Sequence, residues 1–122
     1  MRTYLSSGMT GIAIDVYERQ FADEQARQEA LGHAVINPAT LNTVMTNRTY
    51  SDCLRHDLAI LLVACDRVVM LPGWQRSKGA RCEHDVAQCI GLVVEYSEGA
   101  EVPSPFGTKS HWLRSPGMGA AA

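Results

Sequence analysis

A chain of 122 residues, 46% of them hydrophobic and 20% charged, can bury one core and is too short to divide into two. Its formal charge of −2 comes with no run of Lys or Arg, which disfavours a nucleic-acid polymer as partner but leaves a single nucleotide open. Cys53, Cys65, Cys82 and Cys89 form no Cys-x-x-Cys pair, the N-terminal stretch lacks an apolar signal core, and no apolar run nears the ~18 residues of a span; the expectation is a cytoplasmic protein with reduced thiols and no membrane segment.

Residues 3–6 are a β-prone run that ends in Ser7-Gly8-Met9-Thr10-Gly11, a strand followed by a loop. Over residues 15–31, Val16, Phe21, Ala22, Ala26, Ala30 and Leu31 recur at near-helical spacing among Glu, Gln and Arg, and Gly32 supplies a C-terminal stop. Residues 33–37 (HAVIN) read as a second strand closed by Pro38. Residues 42–50 are polar and expected to be irregular, after which Thr49 or Ser51 can cap a helix with Leu54, Leu58, Leu61 and Leu62 on one side, ending near Cys65. Residues 67–71 (RVVML) suit a strand covered on both faces of a parallel sheet, and Pro72-Gly73 ends it. After a loop over 73–76, Ser77 opens a helix to about Ile90, whose inward residues are expected to be Ala80, Val86, Ala87 and Ile90. Gly91 stops that helix, and residues 92–96 form a fourth strand. The stretch 97–122 is rich in Gly, Pro, Ser and Ala, and reads as a loosely held tail with a short element near 111–113, so the folded domain is expected to span 1–96.

Strands alternating with helices predict an α/β fold: a three-layer, flavodoxin- or Rossmann-like parallel sheet of four to five strands, with helices on both faces. Ligands of such sheets bind beyond the carboxyl ends of the strands where strand order reverses. In a flavodoxin-like order this point lies between the first and third strands, which selects the loops 6–11 and 73–79.

Ser77-Lys78-Gly79-Ala80 opens a helix directly after a buried strand, so its free N–H groups and positive dipole end suit a phosphate; Ser77 can equally be a plain N-cap, and the two roles are compatible. Glu83 follows Ser77 by six residues, about one and a half turns. A carboxylate facing the crevice there can act as nucleophile or base, and the alternative is a solvated helix residue. Asp57 is the second acidic candidate, with a surface ion pair as its alternative; two carboxylates converging on one sugar are the usual requirement of glycosyl transfer. Trp74 and Tyr17 offer stacking surfaces for a base, with plain packing as the alternative. The histidines at 33, 56, 84 and 111 form no zinc-like spacing with the cysteines, so neither a metal nor a cofactor is expected.

Tyr4-Leu5-Ser6-Ser7-Gly8-Met9-Thr10-Gly11, Val35-Ile36-Asn37-Pro38-Ala39, Arg55-His56-Asp57-Leu58, Cys65-Asp66-Arg67-Val68 and Leu71-Pro72-Gly73-Trp74, running on to Ser77-Lys78-Gly79-Ala80-Arg81-Cys82-Glu83, together resemble the small bacterial and phage proteins that share the nucleoside 2-deoxyribosyltransferase-like fold. The resemblance covers roughly residues 2–96. It implies that Glu83 is the nucleophile attacking C1′, that Asp57 assists the departing base, and that Ser77, where the transferases carry an Asp for the 5′-hydroxyl, binds a 5′-phosphate as in the 5′-monophosphate N-hydrolases. The first loop, Ser6, Ser7, Gly8, Met9, Thr10 and Gly11, departs from the usual Ser-Gly-Pro-Met-Thr-Gly, and the added Ser7 side chain is expected to narrow the pocket. A homo-oligomer is implied as well. The expected activity is hydrolysis or transfer at the N-glycosidic bond of a (deoxy)nucleoside 5′-monophosphate, with a non-catalytic nucleotide-binding module or an interaction protein as the competing classes.

Overall fold

The computed structural model describes residues 1–8, 12–42 and 49–103. Its elements follow the order β1 (Arg2–Ser6), α1 (Ile14–Ala30), β2 (Ala34–Ile36), α2 (Pro38–Asn42), α3 (Tyr50–Ala64), β3 (Arg67–Met70), a 3-10 turn (Trp74–Arg76), α4 (Lys78–Ile90) and β4 (Val93–Tyr96). The four strands are all parallel in the order β2-β1-β3-β4, so strand order reverses between β1 and β3 as the sequence predicts.

Alternation along the strands divides the core into two layers. Tyr4, Val68 and Met70 point to one face and pack with Leu61 and Cys65 from the α3 side and Ala80 and Ala87 of α4. Leu5, Val69 and Leu71 point to the other and meet Phe21 of α1 and Ala39 of α2. All four residues of β3 are buried, which accounts for the unbroken apolar run.

Helix ends follow local chemistry. Thr49, not Ser51, caps α3: its hydroxyl accepts from the Asp52 amide while the Asp52 carboxylate accepts from the Thr49 amide. Gly91 ends α4 at φ 82°, a left-handed conformation that costs glycine little. Pro38 does end β2, but it also opens α2, an element the sequence reading lacks. The Asn37 side chain accepts from the Ala39 amide and proline's fixed φ suits the first helical position.

Two helices bury a different stripe from the one predicted. In α1 the buried residues are Phe21 and Gln28, while Val16 and Leu31 are exposed and so are Ala22, Ala26 and Ala30. The inward side is polar because it serves hydrogen bonds. Gln28 accepts from buried Arg67 at 2.7 Å, Gln20 donates to the Pro72 carbonyl, and Gln25 accepts from Asn37. In α4 the buried stripe is Ala80, Glu83, His84 and Ala87, an i, i+3, i+4, i+7 set, and Ile90 is exposed. Leu62 of α3 likewise faces solvent. The four cysteines are free thiols, and among the described residues no helix is long and apolar enough to cross a membrane.

Residues 97–103 are not a loose tail. The Ser97 amide donates to the Met70 carbonyl, Ala100 packs on the α4 side of the core, and Glu101 bonds the loop after β3. The short element expected near 111–113 lies outside the described residues.

Arg67 is the polar pin of the α1 layer. It donates to Thr3 at 3.1 Å and to Gln28, and pairs with Glu95, while its own side chain is buried. Replacing it leaves buried acceptors on Thr3 and Gln28 without a donor, whereas half-exposed Glu95 is rescued by water. Arg67→Ala should therefore lower the unfolding free energy by about 2–4 kcal/mol; chemical denaturation followed by circular dichroism checks this, and a loss below 1 kcal/mol would show that the network is replaced by solvent.

Candidate functional site

Tyr4 and Ser6 sit two residues apart on β1 and so share the face that α4 covers. Glu83, on the inward stripe of α4, meets both. The Tyr4 phenol donates to Glu83 Oε2 at 2.6 Å and the Ser6 hydroxyl donates to Oε1 at 2.6 Å, one donor for each oxygen. Glu83 is only 5% exposed. Burial pushes its pKa up, the bonds from Ser6 and Tyr4 pull it down, and the charge of Asp57 raises it again, for a value of about 7. Burial, followed by the charge of Glu83, holds the Tyr4 phenol well above its ordinary value, so it remains a donor.

Asp57 reaches this cluster from α3. It is buried, its charge is felt by both Glu83 and Tyr4, and His56 Nδ1 lies 3.8 Å from its Oδ1. Glu83 and its two hydroxyl donors thus lie beneath the carboxyl ends of β1 and β3, with Asp57 of α3 near enough for its charge to raise Glu83.

The loops after these strands touch one another. A Cβ placed on Gly8 would stand 2.8 Å from the Ser77 Cβ, so the first loop passes the start of α4 at a distance only glycine allows. Ser77 is the N-cap, its Oγ accepting from the Ala80 amide at 3.2 Å. The remaining orphan amides of α4 point the same way by helix geometry. Gly79 packs against the Tyr50 hydroxyl and Leu54, which brings the start of α3 to the start of α4; Lys78 is exposed beside it. A groove of about 450 Å3 along β2, between Gln25, Asn37 and Ile60, includes none of these residues.

Residues 1–96 match the family described as a domain of unknown function, DUF4406. The chain belongs to that family. No curated protein and no solved structure matches it significantly.

In this DUF4406 domain the predicted site residues fall into three groups. Ser6, Asp57 and Glu83 form one cluster, with Gly8, Ser77, Lys78 and Gly79 at the loop contact. Met9, Thr10 and Gly11 lie outside the described residues. Ser7, Trp74 and Tyr17 take other roles. The Ser7 hydroxyl donates to the Pro72 carbonyl at 3.3 Å, tying the first loop to the loop after β3. Trp74 offers no open face to a base: it is 3% exposed, its ring stacks on His84 at 4.3 Å, and its indole N–H donates to the Glu101 carbonyl. Tyr17 packs on the Leu5 and Phe21 cluster, on the sheet face opposite Glu83.

Tyr4 was not among the predicted site residues. Its signal was strand alternation: a tyrosine two positions before Ser6, on the strand that feeds the loop, must share the serine's face. Among the described residues no group of three His, Cys, Asp or Glu side chains could hold a metal ion.

The raised pKa of Glu83 has a stability consequence. The folded state holds this proton up to about pH 7, whereas the unfolded chain releases it near 4.5, so the contribution is present below pH 4.5 and lost as pH rises to 7. At pH 8 the ionised, buried side chain costs up to about 3 kcal/mol. Glu83→Gln, a neutral isostere, should raise Tm at pH 8 and change it little at pH 4.5. Thermal melts across that range test this, and a variant less stable at pH 8 would show that the two hydroxyl donors outweigh burial.

Proposed function

We propose that this domain cleaves the N-glycosidic bond of a (deoxy)nucleoside 5′-monophosphate, with Glu83 as nucleophile. The observation that carries the reading is the carboxylate of Glu83 held on both oxygens by Tyr4 and Ser6, beside Asp57, at the strand-order reversal. Such a side chain is oriented before substrate arrives, which is what an attack on one carbon requires.

Glu83 attacks C1′ and the C1′–N bond breaks, its electron pair leaving with the base. Asp57 assists the departing base, which takes up a proton from solvent. The glycosyl ester on Glu83 is then opened at C1′ by water, releasing sugar 5-phosphate, or by a second base, giving transfer; Ser77 favours the hydrolytic reading because it marks a phosphate substrate. Ser77 and the amides opening α4 would hold the 5′-phosphate, and Glu83 lies about 9 Å further along the helix axis. That separation suits a nucleotide held at its phosphate and attacked at C1′. Gly8 supports the same seat, because it lets the first loop close against Ser77. The reading extends to a homo-oligomer, with Leu62, Val63 and Ile90 as exposed apolar side chains that a second copy would cover.

The decisive assay is chromatographic detection of free base from a panel of 2′-deoxynucleoside and ribonucleoside 5′-monophosphates and their unphosphorylated forms. Release from the monophosphates should fall at least 1000-fold, on the order expected for loss of a covalent nucleophile, in Glu83→Gln. Because the nucleophile must be ionised, kcat/KM should rise about tenfold per pH unit up to about pH 7 and level off above it. Intact substrates throughout, together with stabilisation of the fold by a nucleotide, would instead make this crevice a binding module.

A further inference from the structure

The loop that carries Ser77 begins at Gly73, whose φ of 87° lies in the left-handed region. Gly73 is also the N-cap of the 3-10 turn Trp74–Arg76 and has no side chain with which to cap it. The free amides at the start of this turn therefore need an acceptor from elsewhere.

Glu101 supplies it from 28 residues further on. Its Oε1 accepts from the Gly73 amide at 2.8 Å, its Oε2 from the Gln75 amide at 3.4 Å, and its main-chain carbonyl from the Trp74 indole at 2.8 Å. Burial opposes its ionisation, but the amide bonds outweigh that and keep its pKa below the ordinary carboxylate value. From the clamped turn the geometry runs directly to the α4 cap. The Arg76 amide donates to the Gly73 carbonyl, the Ser77 amide to the Trp74 carbonyl, and Ser77 Oγ then caps α4 against Gly8. On the inner side Trp74 stacks on His84, the neighbour of Glu83.

We propose that Glu101 is a positioning residue for the substrate's 5′-phosphate, acting through the Gly73–Ser77 turn; this rests on the nucleotide N-glycosidase reading above. Glu101 lies outside the stretch matched by the family, 1–96, so residues 97–103 belong to the working unit of this chain. Its carboxylate does not touch substrate. It fills the amides of the turn, and the fixed turn sets where the Ser77 hydroxyl and the remaining opening amides of α4 face an external anion.

The test is a double-mutant cycle between Glu101→Ala and Ser77→Ala in the full chain, with Glu101→Gln as the conservative variant should alanine fail to fold. Expected for Glu101→Ala is a roughly tenfold rise in KM for 5′-monophosphates with kcat within about twofold, the size of one lost charge-assisted bond. Unphosphorylated nucleosides should show no such rise, and adding Ser77→Ala should worsen KM by less than the product of the single effects. Equal losses of kcat on both substrate types, or fully additive effects, would make Glu101 a general stabiliser and overturn the proposal while leaving the glycosidase reading intact. If the wild-type chain releases no base, the glycosidase reading fails, and the same cycle is read as Kd for 2′-deoxynucleoside 5′-monophosphates by calorimetry. Weaker, non-additive binding then still supports the positioning role, and unchanged or undetectable binding overturns it.

Discussion

A carboxylate buried between a sheet and a helix is the constraint on which the rest of this structure depends. Removing Glu83 from water costs several kcal/mol unless its oxygens are matched, and the chain matches each with one hydroxyl at 2.6 Å. That arrangement fixes the pleat of β1, since Tyr4 and Ser6 must share a face, and the rotation of α4, since Glu83 must occupy its inward stripe. It also leaves a residue of unfavourable energy. Burial and the charge of Asp57 outweigh the two donors, and the carboxyl sits near neutrality instead of in its ordinary acidic range.

Around that carboxylate, the loops are joined by contacts that each require a particular residue. Gly8 permits the first loop to reach Ser77, Ser7 and Gln20 both donate to the Pro72 carbonyl, and Glu101 caps the turn that Gly73 cannot. These contacts are short-range and polar, so they set direction more than stability. The apolar core below them, centred on Tyr4, Leu61, Val68 and Met70 on one face and Leu5, Phe21 and Val69 on the other, supplies the rigidity against which they work.

The order of elements, the parallel sheet and the reversal of strand order between β1 and β3 were legible because they rest on strong local signals: Gly and Pro punctuation, the RVVML run, and alternation of strand with helix. Glu83, Asp57 and Ser6 were legible as acids and a hydroxyl near that reversal, though their contacts were not. What escaped was any place where a buried face is polar. The inward stripe of α1 carries Gln28, and that of α4 carries Glu83 and His84, so a count of apolar periodicity settled on Val16, Leu31 and Ile90, which face solvent. For Trp74 the sequence left stacking on a base and plain packing both open, and the fold decides for packing, with His84 and Glu101 covering the ring. Glu101 had no local signal at all, because its partners are backbone amides 28 residues away, in a stretch whose composition suggests a tail.

The two ends of the sheet bury charge in opposite ways, and the contrast separates structure from chemistry. At the amino end Arg67 is enclosed by Thr3, Gln28 and Glu95, so its donors are spent within the fold and its charge is balanced. At the carboxyl end Glu83 is received by two hydroxyls, no basic side chain is among the groups that shift it, and the charge of Asp57 adds to the cost of ionising it. A fold selected for stability alone would place an arginine or an amide at that end too. Ionising a buried acid near a second one is costly, and under the glycosidase reading proposed above that cost is recovered when the ionised oxygen of Glu83 meets the substrate.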